Sequence, residues 1–323
     1  MHRRDYLTIL RHLAGAMALF VMSSSCSIVA PAGDTPSLRL TADLIEEVKA
    51  FGKTVGIEPT EALRRTSGGG VSLSMLWLWM EREGTLAFSA PVDIRLAIGL
   101  NVEKEASKIE QVYRVDGYSV YYRQGSEFAD PRSVATAGFA EEGLVRRAKV
   151  ILHEDLHGDV NFSLPWEIEE AIVTPLGSLA AIAYLRHKGD EKNLQNALVS
   201  LAEERQLSRE LLALVEEAQR IFATERIDDA KRQILNMLPN YPTYQRQFER
   251  QTRDQHSATV LEAKLSHDLA YFRYFDAIAA LAEQAPDLRI LIGDLKKLPP
   301  DGGHPTLGLL LRELHSKYSP GAR

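Results

Sequence analysis

The spacing of apolar residues changes along the chain. Between residues 71 and 79 apolar side chains alternate and also occupy the second face, which predicts a largely buried strand. Residues 85–89 and 118–124 are rich in aromatic and β-branched residues and are predicted as further strands. From about residue 141 onward, apolar residues recur at helical spacing almost to the C-terminus. The pattern predicts an α+β fold in which a small N-terminal strand-bearing part leads into a predominantly helical region.

Terminal signals delimit three of the helices. Thr41 is predicted to cap the N-terminus of the first one. A second helix is predicted over residues 141–157, with Gly143 as a weak helix former near its start. Pro165 is placed at the first position of a third helix, and Pro175 is expected to kink it.

The first residues have the pattern of an export signal. An apolar run over residues 13–22 is preceded by Arg3, Arg4 and Arg11 and is followed by small residues. A run of that length spans only about 15 Å as a helix, roughly half of the hydrocarbon core of a membrane. We therefore predict a removed signal peptide over residues 1–25. General secretion and twin-arginine export both remain open, because Arg3 and Arg4 loosely match the second type of signal.

Cys26 is the only cysteine in the chain, which excludes an intramolecular disulfide and a thiolate metal cluster. Its position directly after the apolar run resembles a bacterial lipobox, which predicts lipidation and an anchor in the membrane, with the protein facing the periplasm. The alternative is a spare cysteine within a cleaved signal peptide. These features divide the chain into an export signal at 1–25, a lipidated cysteine and tether at 26–38, an N-terminal helix and strand region at 39–140, and a helical region at 141–323.

Composition and charge narrow the class of protein. Hydrophobic residues make up 45% and charged residues 25%, which are values of an ordinary folded chain. The formal net charge is −6, and the basic first residues make the remaining body more acidic still. An acidic body argues against nucleic acid as a partner. The glycine run at 68–70 lacks the lysine of a phosphate-binding loop, so no nucleotide site is predicted.

His153, Glu154 and His157 form an H-E-x-x-H sequence. Residues four apart on a helix lie one turn above each other, so both imidazoles can bind one metal ion. Glu154 is offset by one residue and is suited to hold and deprotonate the bound water. The apolar residues 150–152 favour a buried helix. The alternative is a helix surface that carries two ordinary histidines.

The following helix offers a third ligand. It carries Glu167, Glu169 and Glu170 in its first two turns. A catalytic zinc ion needs a third protein ligand and an open position for water. Glu170 is the predicted ligand, because its helix face also carries small or apolar residues such as Gly177 and a buried carboxylate needs a cation. Glu167 as the ligand, or no glutamate ligand at all, are the alternatives.

This arrangement resembles the gluzincin metallopeptidases, and more narrowly a bacterial family of predicted, often lipid-anchored aminopeptidases. In the narrower family, H-E-x-x-H is followed after about a dozen residues by Asn-Glu, a few small or aromatic residues and then glycine. Here twelve residues separate His157 from Glu170, and Gly177 follows. The resemblance covers roughly residues 115–285 and implies a zincin-like helical catalytic domain, a Zn²⁺ cofactor and a peptide substrate. The chain departs from the family at Asp155, where an uncharged residue is usual, and at Glu169, where the family has asparagine.

The resemblance also implies supporting residues. A donor for the tetrahedral oxyanion is expected from a tyrosine or histidine, and Tyr271 is the candidate chosen from a set that also holds Tyr274, Tyr121 and Tyr122. An aminopeptidase further needs a carboxylate for the substrate ammonium group, for which Glu127 and Asp130 are the candidates. Asp159 either orients a histidine or ends the helix, and the second role is favoured.

The sequence therefore predicts an exported zinc metallopeptidase, most specifically an aminopeptidase. Two alternatives stay open: a non-catalytic metal-binding or structural envelope lipoprotein, and a metalloamidase that acts on cell-wall peptides.

Overall fold

A computed structural model of the chain describes residues 36–67, 75–86, 94–97, 117–125, 129, 131, 133–159 and 164–319. The predicted signal peptide, the glycine run, Cys26, Glu127 and Asp130 lie outside the described residues.

The described part is predominantly helical with a small strand-bearing part, which confirms the predicted α+β class. The helices are α1 (Pro36–Thr54), α2 (Ala137–Glu141), α3 (Leu144–Gly158), α4 (Trp166–Lys188), α5 (Glu191–Thr224), α6 (Ile227–Met237), α7 (Pro242–Thr252), α8 (Ser257–Phe272), α9 (Phe275–Gln284), α10 (Leu288–Leu295) and α11 (His304–Tyr318). The strands are β1 (Leu63–Ser67), β2 (Met75–Arg82), β3 (Ile94–Ala97), β4 (Tyr118–Gly125) and β5 (Val134–Thr136).

Two hydrophobic cores meet near the start of α4. The first packs α1, α3 and most of α4 against α9, α10 and α11. The second packs β2 and β4 against the helices from α5 to α8. Ile168 belongs to the first core, whereas Trp166 packs against the second. The first turns of α4 therefore lie where the two cores join, which is also where the predicted glutamate ligand stands.

The strands form two small sheets. β2 lies between β3 and β4 and is antiparallel to both, whereas β1 and β5 form a separate parallel pair. Trp79 on β2 is directly opposite Tyr121 on β4, and both side chains are buried. Because side chains alternate along a strand, this pair fixes which face of the sheet covers α8.

The predicted strands are recovered unevenly. The prediction over residues 118–124 is confirmed by β4. The prediction over 71–79 overlaps β2, which is described over Met75–Arg82, whereas 71–74 lie outside the described residues. For the prediction over 85–89, Thr85 and Leu86 lie outside any strand and the remaining residues are not described.

Two predicted helix starts are wrong. Helix α1 begins at Pro36, so Thr41 lies inside it, where its hydroxyl accepts a hydrogen bond of 3.1 Å from Arg147. Proline is tolerated in a first helical turn because its missing N–H has no partner there anyway. The helix predicted over 141–157 is broken, since Gly143 has extended dihedral angles and starts α3 as its cap.

Helix α4 differs from its prediction at two prolines. Pro165 is the cap before the first helical residue, and α4 continues through Pro175 without interruption. By length and composition α4 could cross a membrane, but 83% of its most apolar window is buried inside the protein. Its apolar surface on all sides is that of a core helix.

Candidate metal centre

Helix α3 places His153 and His157 on one face. Its regular backbone from Leu144 to Gly158 stacks the two residues one turn apart. Their Nε2 atoms lie 3.1 Å from each other, and 17% and 12% of the two side chains are exposed. The two ring nitrogens therefore point at one place, as the motif predicts.

Glu170 on α4 completes the group. Its Oε1 lies 3.3 Å from His157 Nε2, and its Oε2 lies 3.6 Å from His153 Nε2. The side chain of Thr174, one turn later, donates a hydrogen bond of 3.4 Å to Oε2. The ligand atoms of the three residues all lie within 4.8 Å of one another, so this group could hold a metal ion.

Close contact of the two helices depends on Gly177. A Cβ atom at this position would lie 3.1 Å from the Cβ of His153 and 3.4 Å from the carbonyl oxygen of Lys149. These spacings leave almost no room for a side chain. The absence of a Cβ therefore lets α4 approach α3 closely enough for Glu170 to reach both histidines.

The donor set fits zinc. Two imidazole nitrogens and one carboxylate form a usual ligand set of catalytic zinc, with one further position open. Two ligands that lie about 2.1 Å from a tetrahedral ion are roughly 3.4 Å apart. The separations of 3.1, 3.3 and 3.6 Å are close to that value, although the last two involve different oxygens of Glu170.

Glu169 holds one of the histidines in place. Its Oε1 lies 3.0 Å from His157 Nδ1, and both side chains are mostly buried. Because a carboxylate only accepts hydrogen bonds, Nδ1 carries the proton and Nε2 is left free to bind a cation. Glu167 has no hydrogen bond or ion pair with either histidine in the described part of the chain. The three glutamates thus have different positions, and Glu169 gives His157 a charged partner.

The three groups strongly affect one another's ionisation. Burial and the neighbouring His157 lower the pKa of His153 to about 3. Burial disfavours the charged form of His157, but Glu170 and Glu169 outweigh burial and raise its pKa. Burial likewise disfavours the charge on Glu170, but His157 and His153 outweigh it and lower the pKa of Glu170 to about 2. The centre therefore favours a carboxylate facing one positive charge, and a divalent cation would take the place of that proton.

Glu154 and Asp155 point to different surroundings, although they are adjacent. Glu154 is buried and its charge acts on His157. Asp155 is also buried, but it forms an ion pair with Lys49 of α1 and accepts hydrogen bonds of 3.0 and 2.8 Å from Thr60. Helix α1 therefore explains the charged Asp155 within the motif, because its Lys49 supplies the counter-ion on the side of α3 away from His153 and His157.

Asp159 stands at the end of helix α3. It caps the C-terminus of α3, is buried, and forms an ion pair with Lys296. It also accepts a hydrogen bond of 3.4 Å from the backbone of Glu58. The structure thus supports its role at the end of the helix.

The candidate tyrosines are separated by their packing. Tyr271 is partly buried, and its ring lies 5.9 Å from that of Trp166, one turn of α4 before Glu170. Tyr274 is directed elsewhere, since its hydroxyl donates to the carbonyl of His304 at 3.1 Å. Tyr121 is buried in the second core, and burial raises the pKa of its hydroxyl. Tyr271 is therefore the one of these three that lies beside the face of α4 carrying Glu170.

Sequence reasoning missed a polar cluster beside this face. It consists of Arg123 on β4 and the buried His267 and Asp268 on α8. The adjacent His-Asp pair stands within an otherwise apolar stretch of α8, and that pairing was the signal available in the sequence. Only its tyrosine neighbours were considered.

Comparison with protein-family models, curated proteins and solved structures finds no match to this chain. The function is therefore argued from the geometry of the site itself.

Proposed function

We propose that this protein is a zinc-dependent metallopeptidase of the gluzincin type. The observation that carries the proposal is the convergence of His153, His157 and Glu170 on one point, from two helices held together at Gly177. The chemistry of this donor set, with a buried carboxylate next to the first histidine, is the second support.

Each residue of the site has a definite task in this proposal. Zinc, when bound by the three ligands, would polarise a carbonyl group and lower the pKa of a water molecule. Glu154 would take the proton of the attacking water on its carboxylate and pass it to the departing amine. Glu169 would keep His157 in the tautomer that presents Nε2. Tyr271 would donate its hydroxyl hydrogen to the oxyanion that develops on the carbonyl oxygen.

The narrower expectations belong to the same proposal. We propose an aminopeptidase that is exported and anchored in the cell envelope through Cys26, with short peptides as substrates. The first described helix begins at Pro36, several residues after the proposed lipidation site, which is compatible with a lipid anchor at Cys26.

Metal analysis combined with Glu154→Gln tests the proposal. The purified chain is expected to bind one zinc ion and to hydrolyse members of a peptide panel, and Glu154→Gln should retain zinc while hydrolysis is abolished. His153→Ala should lose zinc. Glu167→Gln is the matched control and should keep both zinc binding and hydrolysis. Glu167 also lies in the first turn of α4 but forms no hydrogen bond or ion pair with either histidine in the described part of the chain.

The outcomes separate the alternatives. Zinc binding without hydrolysis of any peptide would favour a non-catalytic envelope lipoprotein. Cleavage of cell-wall peptides alone would favour the metalloamidase. No zinc in the wild-type protein, or full activity of Glu154→Gln, would refute the proposed mechanism.

A further inference from the structure

Arg123 is brought to the metal centre by the alternation of side chains along β4. Ser119, Tyr121 and Arg123 share one face of this strand. The hydroxyl of Ser119 donates a 3.0 Å hydrogen bond to the carbonyl of Thr259, and the ring of Tyr121 lies 5.0 Å from that of His267. The same face therefore follows α8, and Arg123 lies where this face emerges from the core and becomes exposed.

A buried pair on α8 supports the guanidinium. Arg123 Nη1 lies 3.5 Å from His267 Nε2, and His267 Nδ1 lies 2.8 Å from Asp268 Oδ1. A carboxylate only accepts and a guanidinium only donates, so Nδ1 carries the proton and Nε2 is the acceptor. Burial lowers the pKa of His267 to about 4, which keeps the ring neutral at physiological pH. His267 therefore directs a lone pair at Arg123.

The charge of Arg123 is not neutralised within this cluster. The other oxygen of Asp268, Oδ2, accepts a hydrogen bond of 2.9 Å from the hydroxyl of Tyr244 and forms an ion pair with Lys264. Lys264 and Asp268 thus neutralise each other. In the described part of the chain, no carboxylate forms an ion pair with Arg123. A fixed, solvent-accessible positive charge remains.

This charge lies beside the metal ligands. Trp166 and Glu170 are four residues apart and share one face of α4. The ring of Trp166 packs edge-on against Tyr271 at 5.9 Å, and the Arg123 guanidinium lies over the same Tyr271 ring at 5.6 Å. Its charge also acts on His153 and Glu170 across the site. A ligand at the metal position therefore lies within range of the charge of Arg123.

We propose that Arg123 binds a carboxylate of the substrate, presented either by the free C-terminus of a short peptide or by an acidic side chain. The planar guanidinium can donate two parallel hydrogen bonds to such a group. His267 acts as a positioning residue that orients the fork, and Tyr271 supports its flat face. This inference rests on the proposed peptidase function and specifies its substrate class.

Binding of matched peptides tests the inference apart from catalysis. The full-length protein with Glu154→Gln is loaded with zinc, and calorimetry measures the dissociation constants of Ala-Ala-Ala, its C-terminal amide, and Ala-Asp-Ala-amide, all with a free N-terminus. At least one carboxylate peptide should bind roughly 10- to 100-fold more tightly than Ala-Ala-Ala-amide, as expected for hydrogen bonds between charged groups. Which of the two carboxylate peptides gains affinity identifies the source of the carboxylate.

Substitutions then assign the preference to Arg123. Arg123→Gln should reduce it to within about threefold, and Arg123→Lys should keep an intermediate part of it, because the charge remains without the fork. Arg82→Gln, an exposed arginine at the far end of the β2–β4 ladder, should keep it in full. His267→Gln should preserve more of the preference for the carboxylate peptide than His267→Phe. Zinc content should stay unchanged in both variants.

Failure of this inference is distinguishable from failure of the proposed function. Equal binding of all three peptides, or an unchanged preference in Arg123→Gln, would overturn the carboxylate site even if the wild-type enzyme hydrolyses peptides. An Arg123-dependent preference in a protein that hydrolyses nothing would uphold the site and refute the peptidase.

Discussion

Replacing Glu169 by glutamine removes one negative charge next to the metal centre without changing the shape of the side chain. Glu169 accepts a hydrogen bond from His157 Nδ1 at 3.0 Å, and only 15% and 12% of the two side chains are exposed. The pair is therefore poorly screened by solvent and salt. The amide oxygen of glutamine can still accept the hydrogen bond, so the variant isolates the contribution of the charge.

The expected effect is a loss of zinc affinity of about tenfold, equivalent to roughly 1.4 kcal/mol, at the lower end of the range for partners that orient a ligating histidine. The loss should depend on pH. Glu169 also favours the protonated form of His157, whose pKa is raised against the effect of burial, and this proton competes with zinc. Glutamine weakens that competitor as well, so the loss should be larger at pH 9 than at pH 6.

Competition with a chromophoric chelator measures the zinc dissociation constants of the wild type, Glu169→Gln and the control Glu167→Gln. Glu167 lies in the same turn of α4 but forms no hydrogen bond or ion pair with His157 among the described residues. A change below twofold in Glu169→Gln at both pH values, or an equal loss in the control, would refute the assigned role of Glu169.

Three further predictions address the framework of the site. Lys49→Met should cost about 3 to 5 kcal/mol of unfolding free energy, because Asp155 would be left buried without its counter-ion. The double variant Lys49→Met with Asp155→Leu should regain most of that stability. Chemical denaturation measures both unfolding free energies, and equal losses in the two proteins would contradict the prediction. Gly177→Ala should lower zinc affinity several-fold, because its Cβ would lie 3.1 Å from that of His153. The stability of the metal-free protein should change little, since alanine favours the helix by about 1 kcal/mol. Unchanged zinc affinity would show that α3 and α4 can accommodate the added methyl group. Although burial disfavours the charge on Asp294, two lysines and a tyrosine lower its pKa to about 2. Its folded pKa lies below the unfolded value, so it should contribute about 2 kcal/mol above pH 4 that is lost as the pH falls towards 2. The difference in unfolding free energy between wild type and Asp294→Asn should shrink over that pH interval. A constant difference would show that the ion pairs of Asp294 are not the source of this stability.

The local periodicity of the chain was sufficient to predict the helical class and the ligand pair. Residues four apart on a helix share a face regardless of what surrounds it, so His153 and His157 could be placed together from spacing alone. Helix boundaries were less well determined. Thr41 lies inside α1 and accepts a hydrogen bond from Arg147 of α3, and Gly143 has extended dihedral angles that break the predicted helix.

The small and apolar residues on its helix face favoured Glu170 over Glu167 as the ligand, but the two glutamates are three residues apart and spacing by itself does not separate them. The choice depends on where α3 crosses α4, and that crossing is set by the close packing at Gly177.

The remaining polar partners lie far apart in sequence. Asp155 pairs with a lysine 106 positions away, and Arg123 approaches a histidine 144 positions away. Local sequence patterns carry no signal for such pairs, because only the packing of whole elements brings them together. The sequence by itself determined which residues could bind a metal ion, whereas the tertiary structure decided which glutamate faces the histidines and which charge stands beside them.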